Sequence, residues 1–132
     1  MTVMTRMPTG TETPRPFVRA KDFELSKRFY EALGFEKLFD AEIAIFKVGD
    51  GSFILQNFWQ KELAENFMMQ LVVDDLDAWW SYLESLDLAT QFGVRAPSAP
   101  AMQPWGFRVA YVFDPAGALW HFSERLAGAV RD

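Results

Sequence analysis

One residue pattern occurs twice in this chain, 53 positions apart (Asp22 to Asp75), and this repeat constrains the fold more than any other feature. In each copy a short apolar run leads to one of these acidic residues, which opens a helical pattern. Each copy ends in two apolar runs separated by a turn, at residues 49–51 in the first and 114–117 in the second. Because a fixed offset marks a duplicated unit, two tandem βαβββ modules are predicted.

The length of the chain predicts one domain. A chain of 132 residues falls within the usual range of about 100–200 residues for a single domain, so residues 1–132 are assigned to one. Module one is expected at about 16–58, a linker at 59–66 and module two at about 67–124. Each module alone is close to the size at which burial becomes marginal, so the two are expected to share a core.

Composition excludes several classes of protein. The chain has no cysteine, which rules out a disulfide framework and a thiolate metal site. No apolar run approaches the roughly 20 residues of a membrane span, and residues 1–16 contain no apolar signal region. The formal charge of −5 argues against nucleic acid as a partner. A cytoplasmic protein is expected, with neither a membrane nor a nucleic acid as its partner.

Local patterns predict most of the secondary structure. Asp22 is a favourable N-cap for a helix over about 23–33. The linker 59–66 is expected to hold one helical turn. The stretch 88–106 contains three prolines, so it is predicted to be a loop with one short strand near 90–94.

Four motifs carry a resemblance to a known superfamily. They are FYEALGF at 29–35, VDDL at 73–76, PWGFR at 104–108 and DPAG at 114–117. In this order they resemble the vicinal oxygen chelate superfamily, which includes glyoxalase I, extradiol dioxygenases, fosfomycin resistance enzymes and bleomycin resistance proteins. The resemblance covers about residues 16–124. It implies an α+β fold in which the two βαβββ modules form a half-open barrel around a shared cavity, although a fold alone does not give a function.

The resemblance also identifies where enzymes of the superfamily place metal ligands, on the first and last strands of each module. Those positions correspond here to Arg15, Gln56, Met68 and His121. An arginine cation cannot ligate a metal, and a thioether is a soft donor poorly matched to hard or borderline divalent ions. Catalytic zinc commonly takes three protein ligands, and only His121 is a strong ligand. We therefore expect no metal and no other cofactor.

Metal-free catalysis is not indicated either. His121 is the sole histidine and has no evident serine or aspartate partner for a nucleophile triad. Asp74 and Asp75 are interpreted as helix-capping residues. A binding protein is therefore favoured over an enzyme. Two alternatives stay open: a metal-dependent glyoxalase-like lyase or dioxygenase whose ligands lie elsewhere, and a domain whose cavity is filled by its own aromatic side chains.

Within the superfamily the chain most resembles bleomycin resistance proteins. This resemblance implies a role in antibiotic resistance, as a metal-free homodimer that sequesters a cationic, planar-ring glycopeptide in grooves between subunits. It also implies exchange of an N-terminal strand, for which Pro14 and Pro16 are candidate hinges. Tryptophans that those proteins often carry correspond to Ile43 and Asn66 here. We therefore predict a planar, cationic aromatic ligand without identifying it.

Trp105 is the leading candidate for contact with such a ligand. It lies between Pro104 and Gly106 at a junction of loop and strand, where a bulky ring is expected to line a groove. Aromatic faces stack on planar rings and attract cations by about 0.5–2 kcal/mol each. Asp40 and Glu42 are expected near the rim, where they would attract a cation. The predicted ligand-binding residues are Trp105, Phe39, Phe46, Trp59, Tyr111 and His121.

Overall fold

The computed structural model describes residues 7–125, which form two four-stranded sheets of identical connectivity. Sheet one has the order β1-β4-β3-β2, with β1 at Phe17–Arg19, β2 at Glu36–Asp40, β3 at Ile43–Val48 and β4 at Gly51–Gln56. Sheet two has the order β5-β8-β7-β6, with β5 at Met68–Val72, β6 at Ser98–Met102, β7 at Phe107–Phe113 and β8 at Leu119–Arg125. In each sheet the first strand runs parallel to the last, and the other pairs are antiparallel. The predicted α+β fold of two βαβββ modules is confirmed, and the sheets are not closed into a barrel.

Within residues 7–125, four helices connect the strands. They are α1 at Phe23–Ala32, α2 at Lys61–Glu65, α3 at Leu76–Leu86 and α4 at Leu88–Phe92. The carboxylate of Asp22 accepts a hydrogen bond from the backbone N–H of Leu25 at the start of α1, and Asp75 accepts one from Ala78 at the start of α3. The predicted N-cap Asp22 is confirmed, and of the predicted pair Asp74 and Asp75 it is Asp75 that caps α3. In the part of the chain that the structure describes, no helix has the length and apolar character needed to cross a membrane.

The prediction for residues 88–106 was wrong. The segment Leu88–Phe92 is helix α4, which follows α3 directly and ends at Gly93, whose φ of +68° is left-handed. The strand of this region is β6, at Ser98–Met102, and it contains Pro100. Because β6 lies at an edge of sheet two, its proline does not remove a hydrogen bond from the interior of the sheet.

The two modules share one core, as expected. Along each strand alternate side chains point to opposite faces of the sheet, and one face of each sheet is buried. The buried aromatic rings include Phe46 and Phe53 from sheet one and Trp120 and Phe122 from sheet two. Tyr30 of α1 joins the two sets, since its ring centroid lies 4.9 Å from that of Phe53 and 5.7 Å from that of Trp120. The region where the modules meet is therefore filled by aromatic side chains.

The opposite face of each sheet is only partly covered, and we call it the open face. Register partners lie side by side on one face of a sheet, so the pairings define each open face. That of sheet one carries Phe17, Arg19, Ile43, Ile45, Ile54 and Gln56. That of sheet two carries Met68, Gln70, Tyr111, Phe113, Leu119 and His121. Because both inner faces belong to the common core, both open faces turn away from it.

Candidate functional site

A row of polar and aromatic side chains crosses the open face of sheet two. His121 on β8 is the direct register partner of Gln70 on β5 and of Tyr111 on β7. The rings of Tyr111 and His121 meet edge to face, with centroids 4.8 Å apart and planes at 80°. Ser98 on β6 completes the row, because it pairs with Tyr111 and its hydroxyl accepts a hydrogen bond from the Tyr111 N–H at 3.3 Å. Each of the four strands thus contributes one residue.

His121 has unused hydrogen-bonding capacity. Its imidazole is partly buried, and this burial lowers its pKa from the usual 6.5, so the ring is neutral at neutral pH. The Nε2 atom is buried and has no hydrogen-bond partner among residues 7–125. Buried polar atoms normally have a partner, and a neutral imidazole offers one donor and one acceptor. His121 is therefore suited to a hydrogen bond with a bound molecule.

The open face of sheet one has a comparable pair. Arg19 on β1 is the register partner of Gln56 on β4, and the Arg19 Nε and Gln56 Oε1 atoms are buried without a hydrogen-bond partner in the described chain. The Arg19 guanidinium lies 5.9 Å from the ring centroid of Phe58. Arg19 was not among the residues predicted from the sequence. The sequence feature that could have identified Arg19 is its position between the apolar residues Val18 and Ala20, which places its side chain on the opposite face of the strand.

Two of the predicted aromatic residues lie where a ligand can reach them. Phe39 is about half exposed on β2, where it pairs with Ile45 and so belongs to the open face of sheet one. Trp105 is 56% exposed at the tip of the turn between β6 and β7. That turn is closed by hydrogen bonds from Gln103 N to Phe107 O and from Gly106 N to Gln103 O. Trp105 is not a core residue.

Phe46 and Trp59 do not join the open faces. Phe46 has no exposed surface and packs against the rings of Tyr30 and Phe53, so the structure places it in the core and out of reach of a ligand. Trp59 follows β4, and its Nε1 donates to the carbonyl oxygen of Ala116 at 3.4 Å. It lines a cleft that contains none of the other five predicted residues.

The residues at the four family metal positions do not fit a divalent ion. The Arg15 Nε donates to the Ser52 hydroxyl at 2.7 Å, and Met68 is 62% exposed on β5. A cation, an amide and a thioether stand at three of the positions, which leaves His121 as the only strong donor for a hard or borderline metal. Among residues 7–125, no three or more His, Cys, Asp or Glu side chains form a group that could hold a metal ion. No metal-dependent step follows from this donor set.

The two acidic residues predicted at the rim, Asp40 and Glu42, differ in how far their charge is available to a ligand. The carboxylate of Asp40 accepts hydrogen bonds from Lys27 at 2.9 Å and from Lys37 at 3.0 Å. These two ammonium groups lower the pKa of Asp40 and neutralise its charge locally. Asp40 therefore fastens β2 to α1 and has little charge left for a cationic ligand, whereas Glu42 is exposed.

Comparisons with known proteins agree with this architecture. The family model of the Glyoxalase/Bleomycin resistance protein/Dioxygenase superfamily matches residues 13–122. A bleomycin resistance protein of Klebsiella pneumoniae is 34% identical over 126 residues, covering 89% of this chain and 98% of that protein. A solved bleomycin-binding protein complexed with bleomycin shares 31% identity and a TM-score of 0.70, covering 88% of this chain and 100% of the other. The bleomycin-binding protein of bleomycin-producing Streptomyces verticillus, complexed with copper(II)-bleomycin, shares 27% identity and a TM-score of 0.73, covering 91% and 100%.

Proposed function

This chain belongs to the glyoxalase/bleomycin resistance protein/dioxygenase superfamily, and we propose that it is a metal-free protein that binds and sequesters a planar aromatic antibiotic. The observation that carries the proposal is the row on the open face of sheet two, where Tyr111 adjoins a neutral His121 whose Nε2 lacks a partner among the described residues. Such a surface offers a ring for stacking and a hydrogen bond for orientation. The bleomycin-binding relatives support the ligand class.

The chain binds its ligand as a homodimer under this proposal. Large apolar side chains are exposed on the open faces, namely Phe17, Phe39, Met68 and Val72, and Phe58 and Trp105 are exposed in the segments that follow β4 and precede β7. Exposed apolar side chains grouped on one face are typical of an interaction site. If the open faces of two copies cover one another, they bury these side chains and leave grooves lined by residues of both copies. A two-fold arrangement is the commonest for a homo-oligomer.

Rings rather than a fixed carboxylate would recognise a positive charge on the ligand. Asp40 is already paired with two lysines, so its carboxylate has little charge left for a ligand. Tyr111 and Trp105 supply aromatic faces, which attract cations. The overall charge of −5 adds a long-range attraction that salt weakens.

Calorimetric titration with bleomycin and with ethidium, a planar aromatic cation, tests the proposal. Replacing Trp105→Ala should weaken binding about ten-fold or more, equivalent to about 1.4 kcal/mol. Because Trp105 is exposed, the variant should keep the urea midpoint of the wild type. Leu63→Ala removes a similarly exposed apolar side chain from α2 and serves as the control. Failure of the wild type to bind either probe, or unchanged affinity in Trp105→Ala, contradicts the proposal.

Metal content separates a binding protein from a metal-dependent lyase or dioxygenase. The four side chains at the metal positions provide one strong donor, so elemental analysis of the purified protein should find no stoichiometric metal. Dialysis against a chelator should leave the melting temperature unchanged. Stoichiometric nickel, zinc, iron or manganese would favour the enzyme instead.

A further inference from the structure

The cleft lined by Trp59 has a volume of about 490 Å³ and is formed by residues of both modules. Module one and the linker contribute Lys21, Trp59 and Glu65, and module two contributes the loop 93–95 and the hairpin 113–117. Its volume lies within the range of about 300–1,000 Å³ that small-molecule sites occupy. Phe113 is the only residue that it shares with the open faces.

Two cations, each held over an aromatic ring, line this cleft. The Lys21 ammonium lies 4.8 Å from the ring centroid of Trp59, and the Arg95 guanidinium lies 4.4 Å from that of Phe113. Both distances are within the roughly 6 Å of a cation–π contact. The first pair comes from module one and the linker, and the second comes from module two. Both modules therefore present a positioned cation to one space.

Among residues 7–125, no carboxylate forms an ion pair with either cation. Other basic side chains of this chain form ion pairs, for example Lys27 with Glu24 and Asp40. Over residues 7–125, Lys21 and Arg95 form none. A cation–π contact leaves N–H donors free, since an ammonium has three and a guanidinium has five. These donors remain available to a ligand.

Two acidic residues also line the cleft, and one of them is buried and hydrogen-bonded. Asp114 is only 2% exposed, and its carboxylate accepts hydrogen bonds from the Tyr30 hydroxyl and from the N–H groups of Ala116 and Ala118. The side chain of Glu65 lies against Gly117, where its Cγ is 3.0 Å from the position of an added Cβ. Among the exposed residues that line the cleft, two cations, Lys21 and Arg95, therefore stand beside one carboxylate, that of Glu65.

We propose that this cleft binds a small organic anion, consisting of a flat apolar body with a carboxylate or phosphate group held by Lys21 and Arg95. The guanidinium fork matches both oxyanions in a bidentate arrangement. The rings of Trp59 and Phe113, with Val94 and Pro115, offer apolar contact to the body of the ligand. This ligand has the opposite charge to the one proposed for the open faces, and the site does not depend on a dimer.

Nuclear magnetic resonance of the full chain tests the proposal, with the Trp59 Nε1–H signal as reporter. This signal is assigned by its loss in Trp59→Phe. Indole-3-acetate should produce a saturable shift of this signal. Indole-3-acetamide, its uncharged analogue of similar shape, should bind at least about ten-fold more weakly. Phenyl phosphate forms a third arm, which shows whether the site prefers phosphate to carboxylate.

Charge-removing variants locate the anion. Lys21→Gln and Arg95→Gln should each weaken indole-3-acetate binding about ten-fold, since each removes a charged hydrogen-bond donor. Arg28→Gln removes the same charge from an exposed position on α1 outside the cleft and should leave the affinity unchanged. Urea midpoints show whether each variant is folded. Three results would overturn the proposal. They are equal binding of indole-3-acetate and indole-3-acetamide, a loss of affinity in Arg28→Gln equal to that in the two cleft variants, or no saturable shift with either anion up to about 10 mM.

Discussion

The hydroxyl group of Tyr30 connects the two modules through buried hydrogen bonds. It donates to the Asp114 Oδ2 at 2.5 Å and accepts from the Trp120 Nε1 at 3.0 Å. Asp114 lies in the turn between β7 and β8, so α1 of module one is bonded to the hairpin of module two. Burial raises the pKa of the Asp114 carboxyl group, and loss of a partner would leave a costly buried polar group.

Replacing Tyr30→Phe is therefore expected to lower the free energy of unfolding by about 2–4 kcal/mol, since it leaves Asp114 and Trp120 each without one partner. Tyr82→Phe is the matched control. The Tyr82 hydroxyl donates to the Ala32 carbonyl oxygen at 2.7 Å but is exposed, so its loss should lower the free energy by only about 0.5–1 kcal/mol. Urea unfolding measures both. Equal losses in the two variants would show that the buried hydrogen bonds of Tyr30 stabilise the fold no more than the exposed one of Tyr82.

His121 gives the stability of the chain a pH dependence of known sign. Its folded-state pKa is lowered from 6.5 by burial, so the unfolded chain binds this proton more readily. The contribution to stability is fully present above pH 6.5 and decreases as the pH falls below that value. His121 is the sole histidine, so His121→Gln should flatten the profile of unfolding free energy between about pH 7 and 5.5, above the range in which unperturbed carboxylates titrate. Identical profiles for the two proteins would refute the assignment.

Sequence patterns identified part of the candidate site and missed part. Tyr111 and His121 were both predicted, and the register of β7 and β8 makes them neighbours. Phe46 was predicted as a ligand contact because alternation along a strand separates two faces without saying which one meets the helices. Arg19 was missed because its unpartnered Nε follows from the pairing of β1 with β4, a contact between segments far apart in sequence.

Elements with strong local signals were predictable, and short elements held by tertiary contacts were not. Helix α1 has an N-cap and an apolar stripe within its own sequence. Helix α4 has only five residues and no side-chain N-cap. It is held instead by distant packing, since Leu88 is 1% exposed and the ring of Phe92 lies 5.4 Å from that of Phe29. Helices this short are unstable alone, so local sequence carries little information about them.

The turn between β7 and β8 depends on Gly117 for two reasons. Its φ of +101° lies in the left-handed region, and an added Cβ would lie 3.0 Å from the Glu65 Cγ on α2. Gly117→Ala should therefore lower the free energy of unfolding by about 2 kcal/mol or more, by strain and by displacement of α2. Gly49→Ala, at a φ of +58° with no atom within 4 Å, should lower it by only about 1 kcal/mol. Chemical denaturation compares the two variants. Equal losses of unfolding free energy would show that α2 moves away from the added methyl group at no measurable cost.

At the scale of the whole molecule, a single chain leaves both open faces only partly covered. Met68 is 62% exposed and Phe17 is 48% exposed, each on the first strand of its sheet. These first strands are also edges, with one side of the backbone unpaired among the described strands. Exposed edges beside apolar side chains favour association. The duplicated architecture thus places exposed apolar side chains beside an unpaired strand edge on each module, and a second copy of the chain could cover them.

Sedimentation velocity tests this assembly. At micromolar concentration the wild type should sediment as a dimer with twice the 15.2 kDa mass of the chain. Met68→Glu should raise the dimer dissociation constant about ten-fold or more, because association would bury an unpaired carboxylate on the open face of sheet two. Leu63→Glu places the same charge on α2, which is outside the open faces, and should leave the dimer intact. A wild type that sediments only as a monomer, or a Leu63→Glu variant that dissociates as readily as Met68→Glu, would rule out the open faces as the dimer interface.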